Sequence, residues 1–299
     1  MGLAVFEGTT KRYGDRTVVD GLSFEVAEGS VTGLLGPNGA GKTTAIRMLL
    51  GIASVTAGSC ALFGAAPGSR DFRAAVRQTG SLIESPSIYG NATALANLKI
   101  WAVSRGLSSR DPRIGRVLER VGLAGRGDSK AKDFSLGMRQ RLGIGMAILH
   151  EPKLVILDEP TNGLDPAGTV EIRELIRSLP SQGTTVLVSS HVLGEVQKTV
   201  DHVVIIAEGR LRASGAMDEM LHEASPAAFV VGLPADTLAR GLAVVDDGPG
   251  RLSVTGETHG AALSQALAEA GVYPEELHRR EESLEEMFLA ITGAQEVEA

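Results

Sequence analysis

Residues 31–43 read VTGLLGPNGAGKT, and this stretch decides the fold. Its first five residues form a mainly apolar run that predicts a buried β-strand, and residues 43–50 predict a helix. Between them lies a complete G-x-x-x-x-G-K-[ST] pattern, in which backbone N–H groups and the N-terminus of a helix surround a phosphate. The sequence therefore predicts a phosphate-binding loop and a nucleoside triphosphate ligand.

Every residue of this loop is a candidate nucleotide ligand. Lys42 is expected to reach the β- and γ-phosphates, and the Thr43 hydroxyl to ligate Mg²⁺. The alternative is a glycine-rich turn with an incidental lysine, and the strand and helix that flank the loop argue against it. The predicted nucleotide-binding set is Gly36, Pro37, Asn38, Gly39, Ala40, Gly41, Lys42, Thr43 and Thr44.

Composition limits the class of protein. The chain has 299 residues, of which 43% are hydrophobic and 22% charged, and this suits two globular domains. The net charge of −7 argues against a nucleic-acid partner, because binding phosphate backbones needs a basic surface. Cys60 is the single cysteine, so no internal disulfide is expected. Without a secretory signal or a long apolar run, we expect a cytosolic protein that reaches a membrane through a partner.

Strand and helix patterns alternate along residues 1–222, the range predicted for a first domain. Antiparallel strand patterns at 3–26 precede the loop, and helical patterns such as 170–179 separate later apolar runs. This alternation predicts a parallel α/β sheet. Those apolar runs are 79–83, 154–157, 185–188 and 203–207. Between about 91 and 150 only helices are expected, at 92–105, 113–121 and 136–149, which indicates an inserted helical subdomain.

A second, smaller domain is predicted at residues 226–299. Its patterns follow the β-α-β-β-α-β order of a ferredoxin-like unit, and Ser283 with Glu286 predicts a capping box for a last helix. The expected segments are a strand at 229–233, a helix at 235–241, two strands within 242–255, a helix at 261–270 and an extended stretch at 272–280. The predicted fold class is therefore α/β, with a mixed core sheet, an antiparallel β subdomain, a helical subdomain and a C-terminal α+β domain.

Two carboxylates follow the apolar strand at 154–157. A buried parallel strand delivers its last residues to the edge of the sheet at which the phosphate-binding loop also opens. Asp158 is then placed to hold Mg²⁺, and Glu159 to polarise the water that attacks the γ-phosphate. The alternative is that these carboxylates end the strand simply by reaching solvent.

Taken in order, the motifs resemble the ATP-binding-cassette (ABC) family over about residues 3–212. After the loop come FSLGM at 134–138, which opens a helix, then Asp158 and Glu159, then TNGLDP at 161–166 and finally His191. The resemblance implies an ATPase that uses ATP and Mg²⁺. It also implies a head-to-tail dimer in which each ATP lies between the loop of one subunit and the helix tip of the other.

The resemblance implies a role for each further residue. Ser135 and Gly137 would touch the γ-phosphate of the ATP held by the second subunit, and Asp165 would line the dimer interface. His191 would hold the γ-phosphate and the attacking water, and Tyr13 would stack on adenine. Structural alternatives stay open, because Ser135 and Asp165 are good helix N-caps, His191 can be a solvated loop histidine and Tyr13 an ordinary strand-end residue.

Two departures from the family pattern stand out. FSLGM keeps only the serine and the second glycine of the usual LSGGQ. Glu84 stands after a strand where the family has glutamine, and Gln78 lies too far upstream to replace it. Because a carboxylate can still coordinate Mg²⁺ or its water, Glu84 is a candidate metal ligand that senses the nucleotide and signals to a membrane partner.

These departures, with SLEEMF at 283–288, resemble the ATPase subunits of bacterial drug and antimicrobial-peptide exporters, the group of bacitracin and lantibiotic self-protection and daunorubicin resistance. The implied function is ATP hydrolysis that drives export through a separately encoded permease at the cytoplasmic face of the membrane. Two copies of this chain would pair, or one copy would pair with a different ATPase. An exporter of lipids or polysaccharides, and a soluble regulatory ATPase whose C-terminal domain senses a small molecule, remain alternatives.

Overall fold

The computed structural model describes residues 2–224 and, beyond them, residues 228–231, 243–246, 252–255, 264–265, 268–269, 277–279, 284 and 287–288. The chain divides into two compact units, Met1–Met217 and Asp218–Ala299. The predicted ranges 1–222 and 226–299 place the boundary a few residues later and stay a prediction. Among the described residues, no helix combines the length and the apolar character that crossing a membrane requires.

The first unit begins with an antiparallel sheet. Strands β1 (Ala4–Tyr13) and β2 (Arg16–Val26) form the predicted hairpin, and β4 (Ala57–Leu62) pairs with the other edge of β1. Phe6 and Phe24 lie opposite each other in the register, and their rings stack with centroids 4.5 Å apart. Such a cross-strand aromatic pair fixes the register of the hairpin. The β4 strand is absent from the sequence prediction.

A six-stranded sheet forms the centre of the unit, in the order β5-β6-β7-β3-β8-β9. Its members are β3 (Val31–Leu35), β5 (Thr79–Leu82), β6 (Leu154–Asp158), β7 (Thr185–Ser190), β8 (His202–Ala207) and β9 (Arg210–Ala216). All neighbours are parallel except β9, which pairs antiparallel with β8. The predicted parallel α/β core with a mixed sheet is confirmed, and its central strands are buried along their whole length, as strands covered on both faces must be.

Helices connect these strands or extend beyond them. They are α1 (Lys42–Leu49), α2 (Phe72–Arg77), α3 (Ala94–Ser104), α4 (Arg113–Arg120), α5 (Leu136–Ile148), α6 (Pro166–Arg177), α7 (Leu193–Val196) and α8 (Met217–Ala224). The helices α3 to α5 occupy the block for which only helices were expected, and each begins and ends within two residues of the predicted range. The α5 helix buries Leu142, Ile144 and Ile148, which explains the apolar sequence of its second half.

The described strands of the second unit form one antiparallel sheet. They are β10 (Ala228–Val231), β11 (Ala243–Asp246), β12 (Leu252–Thr255) and β13 (Leu277–Arg279), in the order β11-β12-β10-β13. β11, β12 and β13 fall inside segments predicted as strands or extended chain, and β10 begins one residue before the predicted strand at 229–233. The predicted helix 235–241, the capping box of Ser283 and Glu286 and most of helix 261–270 lie outside the described residues. The ferredoxin-like assignment therefore stays a prediction.

Candidate nucleotide-binding and hydrolysis site

The phosphate-binding loop runs from the end of β3 into α1 and depends on glycine at two close approaches. Gly36 has φ 156°, and a Cβ there would lie 2.1 Å from the carbonyl oxygen of Ile206. Gly41 precedes α1 with φ 105°, and a Cβ there would lie 2.9 Å from the carbonyl oxygen of Val18. A larger residue at either position would clash with β8 or β2 and displace the loop. Glycine therefore allows the loop to pack directly against these strands.

Lys42 projects into this loop and is almost fully buried. Its Nζ donates to the carbonyl oxygens of Gly36 at 2.7 Å and Pro37 at 3.2 Å, and lies 3.2 Å from Oε1 of Glu159. A buried ammonium is stable only with such partners. Two carbonyl oxygens of the loop and one carboxylate therefore compensate the charge of the Lys42 ammonium.

Two carboxylates at the end of β6 face the same edge, as predicted. Asp158 is 1% exposed, and among the described residues it has no cationic group within 4 Å. Its Oδ1 accepts a hydrogen bond of 2.6 Å from the Ser189 hydroxyl. Because a buried carboxylate with a single hydrogen bond is poorly compensated, this position suits a bound cation.

Glu159 adopts an uncommon backbone conformation. Its φ is 49°, which costs a non-glycine residue roughly 1 kcal/mol or more. The Ser189 oxygen accepts a hydrogen bond of 2.9 Å from the Glu159 N–H, so one serine holds the backbone of Glu159 and the side chain of Asp158. The turn that results directs Glu159 toward Lys42 instead of continuing the strand.

His191 completes a chain of three side chains. Its Nδ1 lies 2.7 Å from Oε2 of Glu159, while Oε1 of the same carboxylate faces Lys42. Because an ionised carboxylate only accepts hydrogen bonds, the tautomer that suits this contact carries a proton on Nδ1. The structure thus brings together Lys42, Glu159 and His191, three of the residues that the sequence selected for chemistry.

The segment around Ser135 forms the tip of α5. Ser135 is exposed and caps the helix by accepting a hydrogen bond of 3.2 Å from the Met138 N–H. Leu136, 40% exposed, lies against residue 163, where a Cβ built on the glycine would be 3.3 Å from its Cδ2. Asp165 likewise caps α6 by accepting from the Gly168 N–H at 3.1 Å. Both residues have the cap role that was considered for them.

Two predicted site residues have other contacts in the structure. Glu84 is exposed, with φ 59°, and forms an ion pair with Arg47 of α1. Tyr13 ends β1, is half exposed, and has the ammonium of Lys11 4.7 Å from its ring centroid. Among the described residues, no group of three or more His, Cys, Asp or Glu side chains could hold a metal by itself.

Sequence reasoning did not select Ser189. The serine lies directly opposite Asp158 in the parallel register of β6 and β7, so the pairing brings it to both carboxylates. The signal that could have identified it is its place in the order Ser189-Ser190-His191 at the end of a buried strand. Using that signal requires knowing that β7 is the neighbour of β6, which the sequence alone does not state.

The loop, the buried lysine and the carboxylates at the end of β6 define a P-loop nucleoside triphosphatase of α/β fold. A family model described as ABC transporter matches residues 19–162. The chain is 43% identical over 201 residues to the lantibiotic transport ATP-binding protein SrtF of Streptococcus pyogenes, covering 67% of this chain and 85% of that protein. The chain therefore belongs to the ABC transporter ATP-binding family, whose members are ATPase subunits, and the resemblance found in the sequence is confirmed.

Two further comparisons agree with this assignment. The bacitracin transport ATP-binding protein BcrA of Bacillus licheniformis is 48% identical over 203 residues, which are 68% of this chain and 66% of that relative. This chain thus spans about two thirds of the length of that protein. The solved ADP conformation of MJ1267, an ATP-binding cassette of an ABC transporter, superposes with a TM-score of 0.66 at 26% identity, covering 75% of this chain and 96% of that one.

Proposed function

We propose that this chain binds and hydrolyses ATP to power the export of a drug or antimicrobial peptide through a separate membrane permease. The ATPase part rests on three linked side chains beside the phosphate-binding loop. Nζ of Lys42 lies 3.2 Å from Oε1 of Glu159, and Nδ1 of His191 lies 2.7 Å from Oε2 of Glu159. The export part rests on the relatives named for bacitracin and lantibiotic transport.

In this proposal Lys42 exchanges partners when nucleotide binds. The ammonium leaves Glu159 for the β- and γ-phosphate oxygens, which carry more negative charge than one carboxylate. Glu159 is then free to accept a proton from the attacking water, and the His191 N–H keeps its carboxylate oriented. The nucleotide-binding set is the whole loop from Gly36 to Thr44, with Tyr13 as the candidate that stacks on adenine.

Thr43 and Asp158 would hold Mg²⁺. Magnesium is usually bound by one or two protein groups together with substrate phosphates. Asp158, a buried carboxylate with no cationic partner among the described residues, fits that need. When bound, the ion neutralises charge that develops on the phosphates. Glu84 is the third candidate, and it would have to leave Arg47 to reach the ion or its water.

Dimer formation is the second element of the proposal. Ser135, Gly137 and Asp165 lie at exposed or half-exposed helix starts, where backbone N–H groups favour a phosphate that approaches from outside. A second copy of the chain would supply that phosphate with its own bound ATP. The assembly would lie at the cytoplasmic face of the membrane, held there by the permease.

Replacing Glu159 tests the catalytic assignment. We expect Glu159→Gln to bind ATP with near-normal affinity and to lose at least 100-fold in hydrolysis, because the amide cannot take the proton from water. The measurements are an equilibrium titration with labelled ATP and a phosphate-release assay. Glu28→Gln, an exposed carboxylate away from the loop, is the matched control and should retain full activity. Near-normal turnover in Glu159→Gln would remove Glu159 from the mechanism.

Co-purification from membranes tests the transport assignment. Full-length tagged chain, expressed in a host that carries its neighbouring genes, should bring down a multi-spanning protein. The transport assignment fails if the chain stays entirely in the soluble fraction and still hydrolyses ATP, a result that favours a soluble regulatory ATPase. Repeating the experiment without residues 226–299 shows whether the C-terminal unit serves docking.

A further inference from the structure

A second polar cleft of about 430 Å³ lies in the first unit, away from the phosphate-binding loop. One wall is α4, which contributes Arg113, Arg116 and Arg120. These positions follow the i, i+3, i+7 spacing of one helix face, so their side chains share a side of α4. The opposite wall includes Lys153 and Thr184, which directly precede β6 and β7. The cleft therefore opens at the amino ends of these parallel strands, whereas the loop follows the carboxyl end of β3.

The lining of this cleft carries an excess of positive charge. Four basic side chains face one carboxylate, that of Glu151. Glu151 lies 3.6 Å from Arg113 and 3.3 Å from Arg116, and Arg113 also pairs with Asp111 at 2.9 Å. Within the part of the chain that the structure describes, neither Arg120 nor Lys153 has a carboxylate within 4 Å. A net positive cleft in a protein of net charge −7 requires a specific explanation.

Arg120 supplies the second observation. Its Nε and Nη2 atoms are buried and have no hydrogen-bond partner within the described residues. Burial lowers the pKa of this guanidinium from its usual value. An unsatisfied buried donor costs roughly 1–3 kcal/mol, and more when it is charged, so native structures nearly always satisfy such groups with protein, water or an ion. Arg120 lines both this cleft and a neighbouring one that includes Glu171 and Glu174, and a ligand in this cleft would satisfy the unpaired donors after a change of rotamer at Arg120.

We propose that this cleft binds a small polyanion that carries two or more phosphate groups. Guanidinium groups match phosphate oxygens with paired N–H donors, and several such groups accumulate only where the ligand carries several charges. A monocarboxylate would leave most of the lining charge uncompensated. The volume lies in the range of small-molecule sites. The inference goes beyond the proposed function, because the site shares no residue with the phosphate-binding loop.

The test uses the full-length chain with Lys42→Ala, so that phosphate binding at the loop is weakened. Inorganic pyrophosphate is the probe, and isothermal titration at low ionic strength measures its affinity. We expect Arg116→Gln or Lys153→Gln, each added to this background, to weaken binding by at least tenfold. Both side chains are largely exposed, so neither change should affect folding. Arg120→Met should abolish binding if the chain remains folded by circular dichroism.

Arg70→Gln in the same background is the matched control. It removes the same charge from an exposed arginine that does not line the cleft, and binding should stay within twofold of the background value. The proposal is overturned if pyrophosphate fails to bind, or if Arg70→Gln weakens binding as much as Arg116→Gln and Lys153→Gln do. The second result would indicate a general charge effect instead of a site.

A lipid head group offers the same phosphate chemistry. Co-sedimentation with phosphatidylglycerol vesicles distinguishes a lipid head group from a free ligand. If the cleft is specific for a small polyanion, Arg116→Gln and Lys153→Gln should leave any binding to vesicles unchanged. Vesicle binding that both changes abolish, together with no affinity for pyrophosphate, would overturn the proposed ligand in favour of a membrane surface.

Discussion

Ser189 shows how one side chain organises the chemistry of the site. Its hydroxyl donates to Asp158 at 2.6 Å and accepts from the Glu159 N–H at 2.9 Å, so it couples the metal-binding candidate to the strained turn that aims Glu159. Ser189 lies in none of the motifs that predicted the site. It becomes evident only when strands β6 and β7 are placed side by side.

We predict that Ser189→Ala lowers ATP hydrolysis by about 10- to 100-fold, the usual cost of losing a group that orients a metal ligand. The loss should appear mainly as a higher Mg²⁺ requirement, since Asp158 would lose its only hydrogen-bond donor among the described residues. Activity measured against Mg²⁺ concentration checks this. Ser181→Ala, at an exposed serine outside the site, should leave the curve unchanged. An unaltered Mg²⁺ dependence in Ser189→Ala would argue that Asp158 is positioned by other contacts.

The Arg47–Glu84 ion pair leads to a prediction at the same scale. If Glu84 must leave Arg47 to sense nucleotide, then Arg47→Gln should make that movement easier and raise the apparent affinity for Mg-ATP severalfold. Glu84→Ala should lower both hydrolysis and its coupling to transport. Both are measurable as ATPase curves with and without the membrane partner. If Glu84→Ala changes neither quantity, Glu84 has no role as a sensor.

The N-terminus of α5 combines two functions that a substitution can separate. Ser135 is its N-cap, and removing such a cap costs about 1 kcal/mol. We predict that Ser135→Asn retains the free energy of unfolding, because asparagine caps equally well, and yet reduces hydrolysis, because the larger amide no longer fits a phosphate. Urea unfolding measures the stability of Ser135→Asn, and an ATPase assay measures its activity. If Ser135→Asn is fully active and Ser135→Ala is only less stable, Ser135 is a structural cap alone.

Some elements were readable from the sequence and others were not. Apolar runs bounded by turns predicted β3, β6, β7 and β8, because strands buried on both faces have little choice of residue. β4 was not predicted, since five of the six residues of AGSCAL are small and half of its positions are exposed. β9 lies at the edge of the sheet and has no fully buried position, so its sequence has no apolar run. It pairs antiparallel with β8, which precedes it in the chain. Edge strands gain their conformation from a neighbour, which a local pattern does not contain.

Burial of His150 should make the free energy of unfolding of the first unit depend on pH. Partial burial, with the charge of Arg105 adding to it, lowers the pKa of His150 to about 4. The unfolded chain, in which this pKa is near 6.5, therefore binds more protons between about pH 4 and pH 6.5. The free energy of unfolding is thus expected to fall as the pH drops through that window and to be unaffected by this residue above it. Because the ring is not fully buried, the effect should be on the order of 1–2 kcal/mol.

Urea unfolding at pH 7.5 and pH 5.0 measures this dependence. The variant His150→Gln should show a smaller loss of stability between the two conditions than the natural chain, while His202→Gln serves as the control histidine. An equal loss in the natural chain and in His150→Gln would mean that other groups control the acid sensitivity.

At the scale of the molecule, the sequence predicted a cassette with a helical insertion, and it named the residues that the fold brings to the end of β6. It did not predict their contacts. The ion pair between Lys42 and Glu159 depends on the positive φ at Glu159. This backbone conformation is held by a hydrogen bond to Ser189, which lies 30 residues later in the chain. Contacts that depend on such distant packing are not encoded in any local motif.

Leu136 stands where the usual LSGGQ signature has glycine; its Cδ2 lies close to Gly163, and Cδ2 of Leu164 lies close to Gly137. The helix tip and the loop at 161–165 therefore form one apolar joint inside a single subunit. A chimera that carries LSGGQ in place of FSLGM loses the contact between Leu136 and Gly163 at that joint. A graft that exchanges Leu136 and Leu164 as a unit should tolerate the swap far better than one that changes the signature alone.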